Sequence, residues 1–172
     1  MPSITDFKGS LADGGARPNQ FKVQLTYPTG VAGGVNQGKS EFLVTGAALP
    51  ASTVNPAIIQ YRGREVKFAG ERIFDPWTIT VVNDSDFSIH KAIENWMELM
   101  NEKEDNSGEI QWQNYTVPLT VDHLDRNDNV IRSYTLEDAF PINLSEIALQ
   151  FAQNDIIEEF TVTFQYQHYL VI

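Results

Sequence analysis

The sequence contains no cysteine. That absence removes disulfide scaffolds, thiol nucleophiles, cysteine-ligated zinc and iron–sulfur clusters together. Long apolar runs are missing too. No stretch approaches the ~18 consecutive apolar residues of a membrane-spanning helix, and Met1 to Ser10, carrying Asp6 and Lys8, lacks the apolar centre of a secretory leader. A soluble protein without a membrane anchor is expected. Positive charge is scarce: Lys and Arg number 12 against 23 Asp and Glu, for a net charge of −11. The deficit is uneven. Up to Lys103 ten basic residues face eleven acidic ones, whereas beyond it only Arg126 and Arg132 oppose twelve carboxylates. A surface that grips phosphates needs the opposite sign, so conventional nucleic-acid binding is disfavoured.

What is present suits a folded domain. At 172 residues and 42% hydrophobic content, the chain can bury roughly 70% of its unfolded surface, and residues 1–172 read as a single domain. Residues 1–19, with Gly9, Gly14, Gly15 and Pro18, read as an N-terminal arm, and residues 29–40 as a Gly-rich hairpin loop. Period-two alternation predicts strands over Phe21–Tyr27, Glu41–Ala47, Ala57–Tyr61, Arg64–Ala69 and Trp77–Val82. Further strands are predicted over Glu109–Trp112, Thr116–Leu124, Val130–Leu136, Phe140–Leu149 and Glu159–Val171, the last a single long strand with one polar face. Arg126-Asn127-Asp128-Asn129 has hairpin-turn chemistry. Helical period occurs in one segment, Asp86–Met100, where Phe87, Ile89, Ile93, Trp96, Met97 and Met100 form one stripe and Asp84, Ser85 or Asp86 supplies the cap. Many short strands and one helix predict a mainly β fold, an antiparallel sandwich or barrel with a flanking helix. On this reading Trp77 and Trp96 are core residues.

Gly33-Gly34-Val35-Asn36-Gln37-Gly38-Lys39-Ser40 satisfies the phosphate-loop pattern residue for residue. The mechanism, however, needs a helix leaving Lys39-Ser40 so that its amides hold phosphate, and the residues that follow, Glu41-Phe42-Leu43-Val44-Thr45, carry a strand pattern. No nucleotide is expected. Asp122-His123 with Asp125, Asn127 and Asn129 lacks the glycine and the distal glutamate of a calcium loop. His90, His123 and His168 have no metal-ligand spacing, and no nucleophile motif is present. Neither cofactor nor catalytic residue is predicted. The sequons at Asn83, Asn114 and Asn143 carry no weight without a leader.

Four stretches, in this order and spacing, resemble the tail tube proteins of contractile-tailed, T-even-like bacteriophages. The first runs from Arg17-Pro18-Asn19 into the opening strand, and the second is Ala47-Ala48-Leu49-Pro50-Ala51. The third, the most specific, runs from Ala69-Gly70 through Arg72, Phe74 and Trp77 to Asp84 and continues into the helix with Trp96. The fourth is Glu159-Phe160-Thr161-Val162-Thr163-Phe164. The Gly-rich segment Thr29 to Gly38 departs from the family pattern, as an enlarged hairpin would.

The resemblance implies a structural virion protein, not an enzyme, assembled in the host cytoplasm. Its subunits would form hexameric rings stacked head to tail into the inner tube of the tail. A tape-measure protein and then DNA would occupy the lumen, the DNA without specific binding. A tail sheath protein would surround the tube, and baseplate and tail-terminator proteins would meet its ends. A baseplate tube initiator, or the tube of a contractile secretion or injection machine, is the related alternative. In such a tube the acidic surplus would let DNA slide rather than stick. The arm and the segment Ala47 to Tyr61, with exposed-type apolar residues beside Pro and Gly, would supply contacts between subunits or rings.

Overall fold

A computed structural model describes residues 3–11, 15–31, 37–152 and 154–172. Its elements are helix α1 (Ile4–Ser10), strand β1 (Phe21–Gln24), helix α2 (Ser40–Leu43), strands β2 (Val44–Ala47), β3 (Ser52–Tyr61), β4 (Arg64–Phe74) and β5 (Trp77–Val82), helices α3 (Ser88–Met100) and α4 (Trp112–Tyr115), and strands β6 (Val117–Leu124), β7 (Val130–Leu144), β8 (Glu159–Gln165) and β9 (His168–Val171). Every pairing is antiparallel. The main sheet runs β1-β6-β7-β8-β5-β2 with β9 also on β7, and β3 and β4 form a separate two-stranded sheet. The mainly β class is as expected from the alternation.

One long strand organises the sheet. The first part of β7 pairs with β6 on one side and β9 on the other, while Phe140 to Leu144 pair with β8. Between them Asp138 takes a φ of 54°, and β7 spends an extra residue between the pairs Leu119↔Leu136 and Val117↔Ala139. Such a bulge bends and twists a strand. The sheet therefore curls, bringing its end strands β1 and β2 close to each other, with α2 packed against both.

The same bend breaks the C-terminal segment, which is not the single strand expected. β8 follows β5 and the far end of β7, β9 follows the near end, and the Gln167 amide donates to the Glu137 carbonyl at the corner. The separate strands predicted over Val130–Leu136 and Phe140–Leu149 are one strand, which continues through the bulge and ends at Leu144.

Further expectations are corrected. Ser40–Leu43 is a helical turn rather than the start of a strand, and β1 stops at Gln24. Glu109–Trp112 forms no strand, and an exposed Trp112 opens α4 instead. Residues 29–40 do not connect a hairpin, because β1 pairs with β6 and β2 with β5; positions 32–36 of that segment lie outside the described residues. The arm, too, contains ordered structure: α1 carries a capping box in which the Asp6 amide donates to Ser3 Oγ and the Ser3 amide to Asp6 Oδ2.

The core joins one face of the curled sheet to one face of α3. Trp77, Ile79 and Val81 of β5 and Phe160, Val162 and Phe164 of β8 meet Leu119, Val121 and Leu136, and Ile89, Ile93 and Trp96 descend on them from the helix. Trp96 is fully buried; its Nε1 donates to the Tyr115 carbonyl at 2.6 Å, and its ring lies 6.1 Å from Tyr27 and 6.0 Å from Phe164. The helix starts at Ser88, two residues later than expected, because Phe87 turns left-handed with φ 54°. Asp84 still serves as the cap, its carboxylate accepting from the Ser88 amide at 2.8 Å and the Ser88 hydroxyl at 2.7 Å.

Candidate assembly surface

The residues of the phosphate-loop look-alike are used for construction. Gly33 to Asn36 fall outside the described residues. Gln37–Lys39 make one 3-10 turn that runs into a helix of only four residues. Ser40 is buried between the two ends of the curled sheet, where its Oγ accepts from the Leu25 amide at 3.1 Å and donates to the Val23 carbonyl at 3.3 Å. Lys39 Nζ donates to Asp84 Oδ2 at 2.8 Å, so the supposed phosphate-binding cation instead ties its loop to the start of α3. The Lys39 ammonium, followed by the Ser88 hydroxyl and amide, holds the Asp84 carboxyl down to about 2.

Lys39→Ala is expected to leave the fold intact and to cost about 1 kcal/mol, given the partial exposure of the pair. A carboxyl whose folded pKa is depressed contributes fully above its unfolded value near 3.8 and loses that contribution as pH falls towards 2. The stability difference between wild type and variant should therefore shrink between about pH 4 and pH 2 in denaturant titrations. Calorimetry with ATP should show no Lys39-dependent binding.

The most conspicuous surface is the β3–β4 hairpin. Its two-residue turn, Arg62-Gly63, has positive φ at both positions (48° and 79°), the geometry that matches strand twist. The strands run 10 and 11 residues, yet nearly every residue on both faces is exposed. Cross-strand pairs Ile59↔Val66 and Ala57↔Phe68, with Tyr61 beyond them, give one face an apolar character; Ile59 and Phe68 are each 56% exposed. An isolated two-stranded ribbon is marginal in water, and an apolar one is a template for association.

The hairpin's root is fixed to the barrel. Phe74 meets Tyr169 edge-on at 5.5 Å and Tyr166 at a tilt at 6.1 Å, and the Ser52 and Tyr169 hydroxyls lie 3.2 Å apart. A bulge lies between the pairs Val54↔Arg72 and Pro56↔Ala69, and only glycine fits there: a Cβ on Gly70 would stand 2.6 Å from the Asn55 carbonyl oxygen.

The residues singled out by the sequence thus divide. Gly70, Arg72 and Phe74 belong to the hairpin, Phe74 at its root and Arg72 on an exposed face. Leu49 lines a recess of about 230 Å³ with Pro18, Phe21 and His123, while Pro50 is buried and the Trp77 indole donates to the neighbouring Ala48 carbonyl. Arg17 and Asn19 are exposed on the approach to β1. Trp77, Trp96 and Phe160 are core.

Two further surfaces stand out. One is the outward face of β5 and β8, where Thr78 and Thr80 lie opposite Thr163 and Thr161 and the Thr78 and Thr163 hydroxyls are 2.9 Å apart; its signal was the Thr-x-Thr alternation in both strands. The other is the β7–β8 connection, whose Leu149, Phe151, Ile156 and Ile157 are exposed. Among the described residues no cluster of His, Asp and Glu has the makings of a metal site, and no helix is long and apolar enough to cross a membrane.

A curled antiparallel sheet that carries a bare apolar hairpin is the geometry of a structural building block. Residues 16–172 match the family described as phage tail tube protein, and the chain belongs to that family. The tail tube protein of Serratia phage KSP90 is 26% identical over 168 residues, covering 96% of this chain and 95% of that one. Tail tube protein gp19 of Enterobacteria phage T4 is 27% identical over 149 residues, 86% of each chain. Among solved structures, a chain of the anti-feeding prophage baseplate superposes with a TM-score of 0.65 at 12% identity, covering 91% of this chain and 95% of that chain. A chain of the sheath–tube complex of an extracellular contractile injection system gives 0.63 at 11%, covering 100% and 99%. These two likenesses concern the fold. The protein is a structural tail component, a constituent of the virion and not an enzyme.

Proposed function

We propose that copies of this chain close into hexameric rings that stack head to tail as the inner tube of a contractile tail, the conduit for DNA ejection. The observation that carries this reading is the β3–β4 hairpin, a long ribbon with an apolar face that no other part of the chain covers among the described residues. Laid against the sheet of a neighbour, the hairpin loses its exposed apolar surface, and the neighbour's open strand edges are covered in the same step. Head-to-tail contacts then extend the assembly as an open filament. Negative-stain microscopy of the purified protein tests the proposal: tubes of constant width support it, and a monomer at millimolar concentration overturns it. Single rings that never elongate would favour the alternative of a tube initiator at the baseplate. A sheath outside, a tape-measure protein inside, and baseplate and tail-terminator proteins at the ends complete the proposed set of partners.

The threonine face of β5 and β8 is the proposed lumen wall. It offers hydroxyls and no cation, and with a net charge of −11 on each subunit the tube repels phosphate. Screening limits that repulsion to ~8 Å at physiological salt, so a charge must sit on the wall itself to matter. Thr161→Lys, repeated around every ring, is expected to leave tubes assembled but to slow genome delivery, with the defect easing as salt rises. Normal delivery would move this face to the outside of the tube.

A further inference from the structure

Two unpartnered features of the chain complement each other. The first is α1. Seven residues are too few for a stable free helix, and no residue of α1 is buried. Yet it is capped at its start, and Ile4, Phe7, Lys8 and Leu11 fall at the i, i+3, i+4, i+7 spacing of a single stripe, with Ile4 76% and Phe7 64% exposed.

The second is a groove of about 640 Å³ formed by the β7–β8 connection against the end of β8. Its walls present Leu149, Ile156 and Ile157, all largely exposed, together with the carboxylates of Asp155 and Glu159. Neither carboxylate has a side-chain partner among the described residues. The larger recess beside the end of α3 differs in this respect: Glu98 there accepts from the Lys103 amide and Glu102 from the Ser107 hydroxyl.

We infer that α1 of one copy docks in the β7–β8 groove of another, its Ile4–Phe7–Leu11 stripe against Leu149, Ile156 and Ile157 and its Lys8 between Asp155 and Glu159. The match is one of both polarity and charge. The stripe carries the single cation of α1, and the capping box already occupies the helix's one acid, Asp6. The groove offers apolar walls and two free carboxylates. Because the two patches differ, each copy gives one and receives one, a heterologous contact that propagates rather than closing on a pair. This inference rests on the assembly reading above.

The absence of native cysteine allows a clean test. Chains carrying Phe7→Cys, enlarged by a tag, are mixed with untagged chains carrying Ile156→Cys, assembled and oxidised. A covalent product of one tagged and one untagged chain is expected, absent when either variant is replaced by wild type. In parallel, Lys8→Glu should raise the protein concentration needed for assembly by roughly 2- to 5-fold, and Asp155→Lys with Glu159→Lys should restore it. Assembled tubes without the mixed product overturn the docking while leaving the assembly reading standing. Cross-linking within one chain carrying both cysteines, with no product between chains, assigns α1 to its own groove and overturns the second copy as occupant. Failure of wild-type protein to assemble at all overturns the assembly reading and this inference with it.

Discussion

Deleting residues 56–69 and joining the strands through a short Gly-containing turn is expected to yield a folded monomer that forms no tubes at any accessible concentration. No residue from 56 to 69 belongs to the core. Among the described residues the hairpin's exposed strands are tied to the main sheet at the root, through Phe74, Ser52, Tyr166 and Tyr169, all of which the deletion retains. The far-ultraviolet spectrum and the melting midpoint should therefore stay close to wild type while microscopy shows no polymer. A milder form uses Ile59→Asp with Phe68→Asp, two side chains on the same face and each 56% exposed in the single chain. Burying an aliphatic or aromatic side chain of this size contributes about 1.5 to 3 kcal/mol. Losing two such contacts and burying charge in their place should raise the assembly concentration by roughly 100-fold or more. Undiminished polymerisation of either variant would show that the hairpin lies free on the finished assembly.

Trp96→Ala is expected to have the largest effect on the fold itself. The ring is entirely buried, lies between Tyr27 and Phe164, and spends its indole N–H on the Tyr115 carbonyl. Truncation removes the ring, opens a cavity and orphans a carbonyl at the base of α4. Large-to-small changes of this kind cost ~3 to 5 kcal/mol, a large fraction of the ~5 to 15 kcal/mol that holds a domain together. The variant should be insoluble or should melt well below wild type. Trp96→Phe, which keeps most of the apolar volume but not the N–H donor, should be intermediate. A soluble Trp96→Ala protein with an unchanged midpoint would mean that α3 does not pack as described.

The local consequences of sequence were readable where one periodicity operated alone. Trp77, Ile79 and Val81 alternate because β5 buries one face, and Ile89, Ile93 and Trp96 recur at helical spacing because α3 does the same. Trp77 and Trp96 could therefore be placed in the core from the chain alone. The family was readable as well, since the order and spacing of its motifs survive without any knowledge of contacts.

What the sequence by itself did not determine depends on residues far apart in the chain. β7 bends at Asp138, and about that corner the final segment divides into β8 and β9, each with a different set of neighbours. Lys39 and Ser40 matched a phosphate loop because a motif records residue types, whereas their roles are set by Asp84 and by the Val23–Leu25 backbone, which only the curled sheet brings within reach. The hairpin's exposure is likewise a tertiary fact. Its strands carry the same apolar residues a core strand would, and only in the folded chain, where α3 takes the inner face of the curled sheet, do the described residues leave no face to cover them.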